Sequence, residues 1–303
     1  MNYLCQYKNG ATITIFAPYD CGNRCPFCIN KKDYLLDKSY DLEKVCYSLF
    51  KIHDITPSCD IVITGGEPFA DLDKLQTLVQ AVVMLNQENK NNNIPVHKLF
   101  INTTLPGNID DVVYFITQFK DTITGLNVSR HVRPYVAECP DSIFEELEGI
   151  VPVRINTVLA QHLEAYDYMQ KVYDRYRKYG AIKNFQVRED YTTVDSMNLY
   201  SYSSIMKDFL FGNFGIGDSE VDTFFRKNLI FGNDFRWNLK ITDKIFYHKT
   251  LPYSTIYCGS TNKEINDIII NPRGKILDDW NDYGRELDLN LYAKRILRPV
   301  NKK

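Results

Sequence analysis

Between residues 11 and 190 the chain alternates between two periodicities, and this alternation limits its fold more than any other feature. Short runs rich in β-branched and aromatic residues, at 11–17, 60–64, 98–102, 125–129, 153–158 and 184–187, read as strands. Between them lie stretches with helical period. Leu42, Val45, Cys46, Leu49 and Phe50 make one apolar face. Leu72, Leu75, Leu78, Val79, Val82 and Val83 make a second, on a helix that Asp71 can cap. Leu163, Tyr166, Met169, Tyr173 and Tyr176 make a third, which ends near Gly180. The polar, Asn-rich run 86–93 reads as a solvated connection. Strand followed by helix, six times over, predicts a parallel sheet with helices on its outside. Six units are too few to close an eight-stranded barrel, so the α/β fold expected is a partial (β/α)6 TIM-like barrel.

From about residue 195 the pattern changes. Helical character appears near 218–227, followed by β-rich runs at 235–241, 244–248 and 267–277. The last is broken by the turn signal Asn271-Pro272-Arg273-Gly274. The expected division is a core over 1–194 and a C-terminal α+β extension over 195–303, whose many aromatics suit closing a substrate cavity.

The charge balance is 36 Lys and Arg against 38 Asp and Glu, which offers no electrostatic footprint for nucleic acid. Residues 1–8 lack the basic-then-apolar pattern of a signal peptide. No apolar run approaches the ~20 residues of a membrane span, so no membrane partner and a cytoplasmic location are expected.

Eight cysteines stand at 5, 21, 25, 28, 46, 59, 139 and 258. In a reducing compartment, closely spaced thiols are metal ligands or catalytic groups rather than disulfides. The run Cys21-Gly-Asn-Arg-Cys25-Pro-Phe-Cys28 directly follows the first strand. Three thiolates at this spacing let one loop hold three corners of a 4Fe–4S cube and leave the fourth iron open. A structural zinc site needs four ligands, usually as two paired knuckles, and no second Cys or His pair at that spacing occurs. Cys46 and Cys59 read as packed, so one cluster is expected. Cys258 stands alone in the extension, a candidate hydrogen donor or thiyl site beside the plainer reading of a structural thiol.

Cys21, Cys25 and Cys28, with the aromatic Phe27 before the third, resemble the signature of the radical S-adenosylmethionine (SAM) superfamily. Gly65-Gly66-Glu67-Pro68, one strand-helix unit later, resembles that family's Gly-Gly-Glu-Pro motif. The resemblance spans roughly residues 11–190. It implies an oxygen-sensitive iron–sulfur enzyme whose open iron is chelated by the amino and carboxylate groups of SAM. A low-potential donor, a flavodoxin or ferredoxin, supplies one electron, and the C5′–S bond of SAM breaks. The resulting 5′-deoxyadenosyl radical abstracts hydrogen from a substrate. The implied fold is a partial barrel with the cluster at the C-terminal ends of its strands, in agreement with the strand count.

Several residues are then candidates for the cofactor. Gly65 and Gly66 let the backbone approach SAM closely, while exposed carbonyls or Glu67 accept from its ammonium. Thr103 and Thr104 end the third strand; Asn127, Ser129, Arg130 and His131 end the fourth. Ser129 suits a ribose hydroxyl, or is a turn residue. Arg130 suits a carboxylate through its planar fork, or is a surface ion pair. His131 is a catalytic candidate as proton donor or substrate contact, or is a structural histidine. Arg154 alternates with Asn156, and Gln186 with Arg188, on neighbouring strands. Such polar pairs facing inward argue for a polar cavity, because a dry core would leave them unsatisfied. The stretch 154–158 also resembles a segment of the GTP 3′,8-cyclase family, too short to carry a substrate across.

The leading reading is hydrogen abstraction from a small-molecule or nucleotide-like substrate. A cluster loop at residue 21 leaves no room before it for a peptide-binding domain, and extra cysteine clusters are lacking. The alternatives are an enzyme modifying a ribosomally made peptide, an activase for a glycyl-radical enzyme, and an iron–sulfur sensor. A sensor would have no use for Gly65-Gly66-Glu67.

Overall fold

A computed structural model of the chain describes residues 12–17, 21–23, 25, 28, 39–55, 58–131, 138–159, 165–189, 236–240, 245–248, 267–277 and 286–287. The elements run β1 (Thr12–Ala17), α1 (Leu42–His53), β2 (Asp60–Gly65), a one-turn helix (Pro68–Ala70), α2 (Leu72–Asn91), β3 (Lys98–Thr103), α3 (Ile109–Gln118) and β4 (Ile123–Ser129). They continue with α4 (Ile143–Glu146), β5 (Val153–Leu159), α5 (Ala165–Tyr176), β6 (Ile182–Glu189), β7 (Arg236–Lys240), β8 (Ile245–His248), β9 (Asp267–Ile270) and β10 (Ile276–Leu277). The helical character expected at 218–227 lies outside the described residues.

All the described strands form one sheet in the order β10-β9-β1-β2-β3-β4-β5-β6-β7-β8. From β9 to β6 the neighbours are parallel. β10 and the β7–β8 hairpin close its two ends antiparallel. This is the partial TIM-like α/β fold that the alternation predicts. The described strands beyond residue 195 thus belong to the barrel's own sheet, at both of its ends. The β9–β10 turn is tied down by α1: Asp41 N–H donates to Pro272 O at 2.8 Å, and Ser48 Oγ donates to Gly274 O at 2.5 Å.

Register separates the two faces of the sheet. Ile13, Ile15, Ile61, Ile63, Leu99, Ile101, Leu126, Val128, Val153 and Ile155 share one phase, are buried, and pack in one cluster with the helices. Burying each such side chain is worth ~1.5–3 kcal/mol relative to leaving it exposed. The opposite phase carries Thr64, Asn102, Asn127, Ser129, Arg154, Asn156, Asn184 and Gln186 on β2 to β6. Since helices cover the apolar face, the polar phase is the inner face of the partial barrel.

Helix starts follow local chemistry. Asp41, Asp71 and Asn108 cap α1, α2 and α3, accepting from Lys44 N, Lys74 N and Asp110 N. One local expectation fails. The run 86–93 is not a solvated connection: α2 continues to Asn91, with Asn86 and Asn89 buried. The Asn86 amide accepts from His97 N–H at 2.7 Å and donates to His97 O at 3.2 Å, imitating a strand partner at the entrance to β3. Asn89 Nδ2 reaches Pro95 O. Val83 in turn is exposed, and Leu85 takes its place on the buried face.

His97 belongs to a buried relay at the N-terminal ends of β2 and β3. Its Nδ1 accepts from Cys59 N–H at 3.3 Å, so its proton sits on Nε2 and points at His53 Nδ1, 2.8 Å away. His53 Nε2 then faces Glu88 at 3.9 Å.

Candidate active site

The cysteine loop leaves β1 at the C-terminal end of the parallel sheet. Cys21, Cys25 and Cys28 are half-buried and none is in a disulfide. Cys28 N–H donates to Cys25 O at 3.2 Å, closing a tight turn between those two thiols. Burial pushes the Cys21 thiol up, hydrogen bonds from Asn23 pull it down, and the charges of Glu67 and Cys28 push it up again. Among the described residues no three His, Cys, Asp or Glu side chains converge where a single ion could sit. Three thiolates on one loop suit three corners of a 4Fe–4S cube, each binding its own iron. Phe27 lies outside the described residues.

Beside the loop is the turn that ends β2. Gly65 pairs in register with Ala17 and has φ 110°, a conformation that favours glycine. A Cβ there would lie 2.9 Å from Ala17 O and 2.9 Å from Phe16 Cδ1. The turn therefore approaches β1 more closely than any other residue type permits.

Glu67, the other residue of the motif, sits just past this turn. Its side chain turns into the protein and is buried. Oε1 accepts from Phe69 N–H at 3.1 Å and from the Thr103 hydroxyl; Oε2 accepts from Thr104 N–H and Thr104 Oγ1, both at 2.7 Å. Burial raises its pKa against these bonds, which lower it. With both oxygens doubly engaged, the carboxylate is a brace between β2 and the end of β3. Thr103 is likewise committed, since its Oγ1 also accepts from Leu105 N–H.

Arg130 departs from one expectation. It is 0% exposed, so it is not a surface ion pair. It follows Ser129 in the helix-side phase, and its Nη1 donates to Thr104 O and Ser129 O. Nε lies 3.7 Å from Glu138 Oε2, and Nε and Nη2 make no hydrogen bond among the described residues. His131 is buried with Nδ1 3.0 Å from the Tyr168 hydroxyl. Burial and the neighbouring Arg130 charge hold it down to about 4, so it is neutral near pH 7 and poorly suited to donate a proton as imidazolium.

The inner face gathers the remaining candidates. Asn127 Nδ2 donates to Asn102 Oδ1 at 2.7 Å, and Asn102 Nδ2 donates to Thr64 Oγ1 at 3.1 Å, a chain across β4, β3 and β2. Ser129 stands opposite Asn156, and Asn156 opposite Gln186. Arg154 Nε donates to Asn156 Oδ1 at 3.1 Å. Arg188 sits on β6 opposite Val158, and its side chain is not among those described; Cys258 lies outside the described residues. Thr64, Asn102 and Asn23 stand among these candidates, and motif reading did not single them out. Asn102 ends the third strand run, next to the candidates Thr103 and Thr104.

No protein-family model matches the chain, and no curated protein is matched by its sequence. Two solved structures share the fold. One is native anSMEcpe with bound AdoMet and a Cp18Cys peptide, at TM-score 0.50; the other is histidine-tagged anSMEcpe with bound AdoMet, at 0.53. Each is 13% identical; the matches cover 90% and 91% of this chain and 76% of theirs. The anSME enzyme is an anaerobic sulfatase-maturating radical SAM enzyme. Likeness of this degree establishes the fold alone: this chain shares the partial-barrel architecture of those structures.

Proposed function

We propose that the protein is a radical SAM enzyme with one 4Fe–4S cluster on Cys21, Cys25 and Cys28. The observation that carries this is the placement of three half-buried thiols beside the Gly65 turn, at the C-terminal end of a parallel sheet whose inner face is polar. Those three thiolates would hold the cluster, which when bound would supply the electron for reductive cleavage of the C5′–S bond of SAM and so for hydrogen abstraction from substrate.

The chain's own residues bind and orient. The Gly65–Gly66 turn offers backbone carbonyls to the methionine ammonium, and Gly65 lets that turn sit hard against β1, where a Cβ would meet Ala17 O at 2.9 Å. Ser129 and Asn156, adjacent on the inner face, suit the ribose hydroxyls. Thr64, Asn102, Asn127 and Gln186 form the substrate side. Side-chain amides carry both donors and acceptors, which fits a small polar metabolite or a nucleobase. No helix among the described residues is long and apolar enough to cross a membrane. A flavodoxin or ferredoxin is the proposed electron donor, and the cytoplasm the proposed location.

A peptide substrate is the second reading. It is favoured by the Cp18Cys peptide in one structure of the same fold, and the same amides would suit a peptide backbone. The likeness of 154–158 to the GTP 3′,8-cyclase family is not carried into either reading.

The test is anaerobic: reconstitute the cluster, reduce with dithionite, add SAM, and assay 5′-deoxyadenosine. Cleavage that vanishes when Cys21, Cys25 and Cys28 are all replaced by Ala supports the proposal. Wild-type cleavage by that triple variant overturns it.

A further inference from the structure

We propose that the substrate carries a phosphoryl group, and that Arg188 and Arg236, opposite each other on β6 and β7, meet its charge. This rests on the radical SAM reading, which places the substrate inside the partial barrel. The anion site itself rests on sheet register.

Residues opposite each other in a sheet share one of its faces, and alternate residues of a strand share a face. Phe185 on β6 stands opposite Ile155 on β5, and both are buried in the cluster that packs with the helices. Gln186 and Arg188 therefore fall in the inner-face phase, with Asn184 two residues before. The antiparallel register of β7 sets Lys240 opposite Asn184, Asn238 opposite Gln186 and Arg236 opposite Arg188. Across β5, β6 and β7 the inner face thus has a lower row Arg154–Asn184–Lys240 and a middle row of amides, Asn156–Gln186–Asn238. The upper row is Val158–Arg188–Arg236. It lies at the C-terminal edge of the parallel strands, the edge at which the cysteine loop leaves β1.

Charge makes the upper row informative. Directly opposite residues on an antiparallel pair have Cβ atoms ~4.5–5.5 Å apart, and like charges there destabilise the sheet. An anion shared by the two arginines would offset that cost. The described strands β4 to β8 carry no Asp or Glu in the inner-face phase. Glu189 falls in the opposite phase, and the inner-phase acids Asp60 and Asp267 stand at the N-terminal ends of β2 and β9. A phosphoryl dianion equals two guanidinium groups in charge and presents several oxygens to their planar forks, whereas a carboxylate equals only one. The amide row begins ~6.6 Å deeper in the barrel and offers donors and acceptors to the uncharged remainder of such a substrate.

The experiment titrates inorganic phosphate into the reconstituted protein at constant ionic strength, read by isothermal titration calorimetry and by the rise in Tm that phosphate produces. The variants are Arg188→Gln, Arg236→Gln and, as a control of equal charge change, Lys171→Gln at an exposed position on α5. Phosphate should bind wild type and the control alike. Each arginine variant should bind it roughly ten- to a hundredfold more weakly, the effect of one lost charge-assisted contact. Acetate should bind wild type at least about tenfold more weakly than phosphate. Wild-type affinity in both arginine variants, acetate binding as tight as phosphate, or no phosphate binding at all overturns the site. Where a Gln variant does not fold, the Lys variant at that position decides: it keeps the charge, loses the fork and should still bind more weakly, and unchanged affinity overturns the site. None of these readouts needs SAM cleavage. A cluster-loaded protein that cleaves SAM but ignores phosphate loses this inference alone, while one that binds phosphate through the pair but assembles no 4Fe–4S cluster loses the radical SAM reading.

Discussion

Replacing Glu67 by Ala takes the acceptor from four donors at once: Phe69 N–H, Thr104 N–H and the hydroxyls of Thr103 and Thr104. The hydroxyls can rotate toward other acceptors, but the two backbone N–H groups are fixed by the one-turn helix and by the end of β3. Each buried N–H left unpaired costs ~1–3 kcal/mol, or ~2–6 kcal/mol together. Removing a buried carboxylate returns part of this, since burial already opposes its charge. The net loss should be ~2–4 kcal/mol. In a chain of this size each kcal/mol moves Tm by ~2–4 °C, so a fall of roughly 5–15 °C is expected. Glu67→Gln keeps the volume and one acceptor oxygen and should lose about half as much. The assay is thermal and urea unfolding of the variants beside wild type, with SAM affinity measured on the same preparations. A Glu67→Ala protein that melts within ~1 °C of wild type yet binds SAM far more weakly would refute the brace and return Glu67 to the ligand.

Other outcomes follow from neighbouring geometry. His97 and His131 are each held down to about 4, chiefly by burial, with His53 and Arg130 as the next contributors. Between that value and the unfolded ~6.5 the unfolded chain binds more protons, so stability is fully present above pH ~6.5 and falls as pH drops toward 4. Urea midpoints from pH 7.5 to 4.5 should show this fall, and His97→Gln should flatten it; equal slopes in variant and wild type would count against the buried neutral pair. Gly65→Ala forces a Cβ to within 2.9 Å of Ala17 O at φ 110°. It should destabilise the fold by ~2–4 kcal/mol and abolish SAM binding, as read by urea unfolding and equilibrium dialysis; a variant matching wild type in both would show that the turn has room to spare.

The sequence by itself determined whatever is local. The six strand runs stand within two residues of their expected bounds, because alternation and β-branched composition act over a handful of neighbours. Asp71 caps α2 through a contact three residues away, and Cys21, Cys25 and Cys28 are bound into one loop by covalent proximity. Tertiary structure alone decided what depends on distant partners. Composition marks 86–93 as solvated, yet Asn86 is buried because His97, across the α2–β3 connection, offers it a backbone N–H and carbonyl. Glu67 and Arg130 look like ligand groups in the chain, but Thr103, Thr104 and Glu138 draw them inward. The β9 strand follows β1 by some 250 residues and pairs with it all the same, in a contact that leaves no periodic mark on either segment. Hydrogen-bond satisfaction of buried polar groups is a property of the assembled fold, and no local motif records it.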